Sequence, residues 1–96
     1  FRGAMSDFNK AIELNPLYPP LFSFRGSIKI ELKDYQGAIS DYNKYIELNP
    51  SEPLIFFYRG VSKYLLGDKD GACLDISKAG ELGYDKAYLW ITRYCN

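Results

Sequence analysis

Few residues of this chain could do chemistry, and their types exclude most catalytic and metal-binding arrangements. The sequence contains no histidine, which excludes serine–histidine and cysteine–histidine nucleophile pairs and most zinc sites. The stretch Gly67-Asp68-Lys69-Asp70-Gly71 is acidic and flanked by glycine, but it lacks the remaining oxygen ligands of a calcium-binding loop. We therefore expect a noncatalytic protein with no metal and no cofactor.

The two cysteines, Cys73 and Cys95, suggest a different kind of chemistry. If two antiparallel helices meet at a turn between Gly83 and Asp85, each cysteine lies about eleven residues from the turn centre, at the same depth on neighbouring helices. A disulfide is then within reach, provided that both side chains face each other, and it would imply an origin outside the cytoplasm. The alternative is a pair of buried thiols that act as small apolar side chains.

Size and charge set broad limits on function. A chain of 96 residues forms one small domain with a modest core. Twelve basic and twelve acidic residues cancel, and no basic stripe is present, so we expect no binding to nucleic acid or to an anionic membrane. No apolar run approaches the roughly 20 residues that span a bilayer.

A single period, 34 positions long, runs through the chain. The tetrapeptide Glu-Leu-Asn-Pro occupies residues 13–16 and returns at 47–50. Further positions match after the same shift: Phe22 with Phe56 and Trp90, Arg25-Gly26 with Arg59-Gly60, Gly3-Ala4 with Gly37-Ala38 and Gly71-Ala72, and Asp34 with Asp68. So many matches at one offset indicate copies of a single unit.

Each unit is predicted to be a pair of antiparallel helices. Apolar residues recur at spacings of three and four over residues 21–32 and 38–48, which favours helices. Pro19-Pro20 suits a first helical turn, and Asn49-Pro50 ends a helix, because the residue before proline is pushed out of the α region. The predicted helices span residues 3–14, 19–32, 36–48, 53–66, 70–82 and 86–95.

The fold class that follows is all-α, an α-solenoid of antiparallel helix pairs with about six helices. A single pair cannot bury its apolar faces, so neighbouring units must stack. The chain is predicted to form one domain, residues 1–96, in which 1–18 are the second half of a repeat, 19–52 and 53–86 are complete repeats, and 87–96 are a terminal capping helix.

The unit resembles the tetratricopeptide repeat, a helix–turn–helix module of about 34 residues. The family pattern is met at Phe22, Gly26, Ala38, Tyr42 and Pro50, and again at Phe56, Gly60, Ala72 and Ala79. The chain departs from it at Arg25 and Arg59, where leucine is usual, and at Lys29 and Lys63, where tyrosine is usual. The resemblance is specific for the fold and weakly specific for function, because the family is a scaffold for many partners.

The resemblance also implies a binding surface, since in this family the first helices of the repeats line a concave face. The positions that match are Ser23, Ser27, Ile30, Phe57, Val61, Tyr64 and Ile91. These residues cannot supply the Lys, Asn and Arg clamp with which some members hold the carboxylate tails of chaperones. We therefore expect an apolar and aromatic groove that binds an extended peptide or a helix of another protein, although for each residue singly packing between repeats is the commoner explanation.

Two further questions stay open at the level of the sequence. The missing first helix would leave Ala4, Phe8 and Ala11 uncovered, so the chain is either a fragment of a longer array or a self-assembly element that forms oligomers or domain swaps through this face. Arg25 and Arg59 recur in step with Arg93. They could form a basic ladder, but ion pairs with acidic residues of adjacent helices are the commoner arrangement.

Overall fold

The structure, a computed structural model, describes residues 2–95, with the side chains from residue 3 onward. Within this range six α-helices follow one another: α1 (Arg2–Leu14), α2 (Pro19–Glu31), α3 (Tyr35–Leu48), α4 (Pro53–Leu65), α5 (Lys69–Glu81) and α6 (Lys86–Tyr94). No strand occurs within residues 2–95. The predicted all-α fold is confirmed, and every predicted helix end agrees with the structure to within one residue.

Local chemistry explains where the helices begin. Proline occupies the first turn of both α2 and α4, where its missing N–H costs no hydrogen bond. The carboxylate of Asp34 accepts a hydrogen bond from the backbone N–H of Gly37 over 3.0 Å, and Asp68 does the same with Gly71 over 2.9 Å. These caps satisfy N–H groups that have no partner within the helix.

The helices stack in chain order into an elongated body of 42 × 25 × 17 Å, and α2 also contacts α4. One core cluster consists of Phe22, Ala38, Tyr42, Tyr45 and Ile55. The other consists of Phe56, Ile76, Ala79 and Ala87. Because Ile46 packs against both clusters, the core continues from one helix pair to the next, as a solenoid requires.

Small residues let the helices of a pair approach closely. A Cβ atom placed on Gly60 of α4 would lie 2.6 Å from the Ile76 side chain and 3.0 Å from the carbonyl oxygen of Ala72 on α5. A Cβ atom placed on Gly26 of α2 would lie 3.0 Å from the ring of Tyr42 on α3. The second pair therefore has backbone close to the glycine, whereas in the first the nearest atoms belong to side chains.

The last helix does not repeat the preceding first helices in every detail. Leu89 stands one period after Ile55, yet Ile55 is 4% exposed and Leu89 is 74% exposed. Tyr88 lies against α5 instead, with ring atoms 2.8–3.1 Å from the point where a Cβ of Gly80 would be. Since Gly80 stands where the preceding repeat has Ile46, the space that it leaves accounts for this different contact.

Candidate functional site

Buried ion pairs join the two helices of the α2–α3 pair. Asp41 is 2% exposed, and its carboxylate accepts two hydrogen bonds from Arg25, at 2.9 and 2.6 Å. Lys29 approaches the same carboxylate at 3.1 Å. Its hydrogen bond to Asp41 raises the pKa of Arg25, because the carboxylate stabilises the charged guanidinium. A bidentate arginine with a second cation compensates the burial of Asp41.

The α4–α5 pair contains the same arrangement one period later. Asp75 accepts two hydrogen bonds from Arg59, both at 2.7 Å, and Lys63 lies 3.0 Å away. We call these six residues the seam: Arg25, Lys29, Asp41, Arg59, Lys63 and Asp75. Ion pairing, and not a basic ladder, is therefore the arrangement of Arg25 and Arg59.

The seam also links each pair to the preceding helix. Arg25 donates a hydrogen bond to the Asn9 side chain of α1 over 2.9 Å, and Arg59 donates one to Asn43 of α3 over 2.9 Å. Arg93 is exposed and lies 5.8 Å from the ring centroid of Tyr94. The seam thus holds α1 to α5 in register.

Two adjoining cavities lie between α2 and α4, on the side of both helices that faces away from the seam. Their volumes are about 320 Å³ and about 380 Å³. Together we call them the groove, and its lining consists of Ser23, Phe24, Ser27, Ile30, Glu31, Tyr45, Glu52, Leu54, Ile55, Phe57, Tyr58 and Val61. Ser27 and Tyr58 line both cavities, so they mark the middle of the groove.

The middle of the groove is fixed from beneath by a buried tyrosine. Tyr42 is fully buried, and its hydroxyl lies 3.1 Å from the hydroxyl of Ser27. Burial raises the pKa of Tyr42 to about 12. The Tyr58 ring stacks near Tyr42 with 6.2 Å between centroids, and Phe57 meets Tyr84 edge to face at 5.0 Å. The aromatic side chains of the groove are therefore held in place before any partner arrives.

The charged side chains among the lining residues are both acidic. Glu52 lies at the start of α4, where it accepts a hydrogen bond from the N–H of Leu54 over 3.2 Å. Burial, followed by the charge of Glu52, raises the pKa of Tyr45. Glu31 lies at the end of α2 and is exposed. Among the described residues, no lysine or arginine lines either cavity.

Five of the seven residues expected on the binding surface line the groove: Ser23, Ser27, Ile30, Phe57 and Val61. The other two lie where the last helix packs against the array. Tyr64 meets Trp90 at 5.0 Å and Tyr94 at 5.4 Å between ring centroids, and Ile91 of α6 packs against the second core cluster.

Sequence reasoning missed several groove residues, among them Phe24, Tyr58 and Glu52. A signal was present, because Phe24 and Tyr58 are aromatic residues 34 positions apart. They are 54% and 38% exposed in the structure. An aromatic residue that recurs with the period but stays exposed outside the core is a candidate for contact with a partner.

Cys73 of α5 and Cys95, the residue after α6, form a disulfide, with their Cα atoms 5.9 Å apart. A further cavity of about 360 Å³ lies beside the disulfide and includes Lys69, Leu74 and Ser77 in its lining. This crosslink holds the last helix to the repeat before it.

Within the described residues, no helix is long and apolar enough to cross a membrane.

Comparisons with known proteins agree with this architecture. A family model described as tetratricopeptide repeat matches residues 20–52. A solved structure, the first tetratricopeptide repeat domain of Spaghetti (RPAP3) bound to the HSP90 peptide SRMEEVD, aligns with a TM-score of 0.88. It is 25% identical over 95% of this chain and 74% of its own chain. Residues 20–52 of this chain therefore match a tetratricopeptide repeat, and the chain has the fold of tetratricopeptide repeat proteins.

A second solved structure similar to this chain is that of MamA, with a TM-score of 0.81 and 25% identity. The match covers 91% of this chain and 48% of the MamA chain. No curated protein sequence matches the chain. Tetratricopeptide repeats are in general noncatalytic modules for protein interaction, and a similar structure has a bound peptide, so a protein-interaction role is supported.

Proposed function

We propose that this chain binds a peptide or a helix of another protein in the groove between α2 and α4. The observation that carries the proposal is an open, mostly apolar cleft whose aromatic side chains are already ordered. Such a cleft suits a peptide segment whose side chains fill the cavities and whose main-chain groups form hydrogen bonds with the hydroxyl groups of the lining. The peptide bound to the similar domain of Spaghetti (RPAP3) also favours this mode of recognition.

The seam gives the groove a rigid frame. Arg25 joins α2 to α3, and Arg59 joins α4 to Asn43 of the same helix. Both sides of the groove are therefore attached to α3. A preformed site loses less conformational entropy on binding than one that must be ordered. The groove lies between the first helices of the two repeats that are predicted to be complete, residues 19–52 and 53–86.

The proposal is tested with peptides selected from a random twelve-residue phage library on the immobilised 96-residue chain. We expect Tyr58→Ala and Val61→Arg each to weaken the binding of a selected peptide about tenfold or more. Tyr58→Ala removes an aromatic side chain from the lining of the groove, and Val61→Arg fills part of the groove with a larger side chain. Leu74→Arg is the matched control, since Leu74 is 75% exposed on α5 outside the groove. Fluorescence anisotropy measures the affinities, and circular dichroism checks that each variant is folded.

Equal binding by Tyr58→Ala, Val61→Arg and the unaltered chain would reject the groove as the binding site. Failure to select any peptide that depends on these residues would also count against the proposal.

Assembly of copies through α1 is a second candidate, and the exposure of α1 supports it. On α3, Ala38, Asp41 and Tyr42 are 0%, 2% and 0% exposed. The residues 34 positions earlier are Ala4, Asp7 and Phe8, of which Asp7 is exposed and the other two are half-buried. A face with the composition of a buried one therefore stays open on α1 in the described chain.

Light scattering over a wide range of protein concentration tests this candidate. We expect a mass that rises with concentration and a Phe8→Asp variant that stays monomeric, because a charge would oppose burial of this face. A monomer at every concentration would reject assembly through α1.

A further inference from the structure

We propose that the groove selects peptides that combine apolar side chains with basic ones at two separated positions, and rejects acidic peptides. This inference rests on the proposed function, since it names the class of peptide that the groove binds. The partner is therefore expected to present lysine or arginine on both sides of an apolar or aromatic centre.

The arrangement of charges in the groove carries the inference. Its two ionisable carboxylates, Glu52 and Glu31, lie at opposite ends, one before the start of α4 and the other at the end of α2. Within the part of the chain that the structure describes, neither carboxylate pairs with a lysine or an arginine. The lining between them is apolar, aromatic or hydroxyl-bearing. A peptide with two cations would therefore meet a complementary charge at each end.

The cations of α2 and α4 cannot oppose this preference, because the seam holds them on the other side of their helices. Arg25 and Lys29 each stand two positions from Ser27, and such a spacing turns a side chain about 160° around a helix. Both contact the carboxylate of Asp41 instead.

The same argument holds for α4. Arg59 stands two positions from both Phe57 and Val61, and it forms a bidentate pair with Asp75. Turning it into the groove would leave Asp75 buried without its main partner, which opposes such a movement. Among the described residues, the groove consequently has no cation to offer to an acidic peptide.

The distance between the carboxylates defines the spacing of the peptide's basic residues. After a shift of 34, Glu52 corresponds to position 18 on the first complete repeat, 13 positions before Glu31. At a rise of about 1.5 Å per residue, the two carboxylates lie on the order of 20 Å apart along the groove. An extended peptide covers this distance with about six residues.

The charge expected of this chain's partner is opposite to the charge of the peptide bound in the similar structure. The HSP90 peptide SRMEEVD bound to the domain of Spaghetti (RPAP3) carries three acidic residues and one basic residue. In the present chain, Ser23, Ser27 and Val61 line the groove, and none of these side chains can bind a carboxylate as a charged partner. An acidic peptide would instead meet Glu31 and Glu52.

The test uses the same phage library. For every clone whose binding depends on Tyr58, the displayed peptide is sequenced and its charged residues are located. We expect basic residues to be enriched at two positions about six residues apart. For one such clone, synthesised as a peptide, we expect the double variant Glu31→Gln/Glu52→Gln to bind about three- to tenfold more weakly. Raising the salt concentration from about 50 mM to about 500 mM should weaken binding to the unaltered chain but much less to the double variant.

Glu47→Gln/Glu81→Gln is the matched control, because both residues are exposed carboxylates on second helices outside the groove. Selected peptides that depend on Tyr58 but are neutral or acidic would overturn the inference and leave the proposed function intact. Basic peptides that bind the Glu31→Gln/Glu52→Gln variant unchanged would also overturn it. Absence of any clone that depends on Tyr58 would reject the groove itself, and the inference with it.

Discussion

The seam and the groove lie on opposite sides of the same two helices, and they differ in how they follow the period of the sequence. In the seam every side chain recurs: arginine, lysine and aspartate occupy equivalent places in both helix pairs, with nearly equal distances. In the groove, Ser23 is replaced by Phe57 and Ser27 by Val61 after the same shift.

This difference separates the residues that build the repeat from those that distinguish one repeat from another. The seam recurs because each pair of helices buries one aspartate carboxylate, and each buried carboxylate needs an arginine and a lysine to compensate its charge. The groove has no such constraint, so its side chains vary between repeats within one chain. We infer that the irregular positions of this array, and not its regular ones, determine which partner it binds.

The largest expected effect comes from breaking the seam. Asp41→Ala and Asp75→Ala should each lower the free energy of unfolding by about 3 kcal/mol, because each leaves two cations without their buried partner. Asp7→Ala is the matched control, since Asp7 is the equivalent residue on α1 but is exposed, and it should cost less than about 0.5 kcal/mol. Urea unfolding measures all three, and equal losses at the three positions would contradict the role of burial.

The last helix offers a sharper version of the comparison, because a crosslink and not the seam attaches it. Cys73→Ser should lower the free energy of unfolding by about 3 kcal/mol, since the disulfide joins residues 22 positions apart and restricts the unfolded chain. Reduction of the unaltered protein should have the same effect. Alkylation in denaturant followed by mass spectrometry checks the bond, and two reactive thiols in the oxidised protein would contradict it.

The close approach of the helices should differ between the two pairs. Gly60→Ala should destabilise the protein by about 1–2 kcal/mol, because its Cβ would meet the Ala72 carbonyl, whereas Gly26→Ala should cost less, because the Tyr42 ring can shift. The added Cβ of Gly3→Ala meets nothing within 4 Å among the described residues and should be neutral or slightly stabilising. Thermal unfolding would contradict this ranking if Gly26→Ala proved the more harmful change.

The contact between the core and the groove can be broken with Tyr42→Phe. Loss of the hydroxyl pair with Ser27 should cost about 1 kcal/mol at neutral pH. The folded pKa of Tyr42 is raised to about 12, above the value near 10 expected in the unfolded chain. The unaltered protein should therefore lose stability as the pH rises from 10 to 12, because the unfolded state releases the proton first.

The Tyr42→Phe variant should lose less stability between pH 10 and pH 11, as measured by urea unfolding at pH 9, 10 and 11. An equal loss in both proteins would show that Tyr42 does not govern the alkaline transition.

The smallest effect is expected where the two repeats use different residues for the same turn. Lys33 has a φ of 63°, and Gly67, its counterpart one period later, has a φ of 95°. This left-handed conformation is costly for lysine and free of strain for glycine. Lys33→Gly should therefore leave stability unchanged or raise it by up to about 1 kcal/mol, and Gly67→Lys should lower it by about 1 kcal/mol, both measured by thermal unfolding.

The period is sufficient to predict the fold, because helix starts, caps and small residues at Gly26 and Gly60 are local or nearest-neighbour features. The resemblance to the tetratricopeptide repeat identifies five residues that line the groove, although their role in binding stays a prediction. The same reasoning does not find Glu52, whose position in the groove depends on the angle between α2 and α4. No pattern within one helix reports that angle.

The period is least informative at the end of the array. The family resemblance implies that Tyr64 and Ile91 lie on the binding surface; in the structure Tyr64 contacts the rings of α6 and Ile91 packs against the second core cluster. The period aligns Leu89 with the buried Ile55, although Leu89 is exposed. Beside Gly80 of α5, where a large side chain is absent, the ring of Tyr88 occupies the space.

The cluster of Tyr64, Trp90 and Tyr94 provides an optical reporter of one event in this molecule. Trp90 is the chain's single tryptophan, and its ring lies 4.5 Å from Tyr94 and 5.0 Å from Tyr64. Its emission should therefore follow the release of α6 from α4, and should be insensitive to occupancy of the cleft at Tyr58. Intrinsic fluorescence can thus register fraying of the array separately from ligand binding, without any added dye.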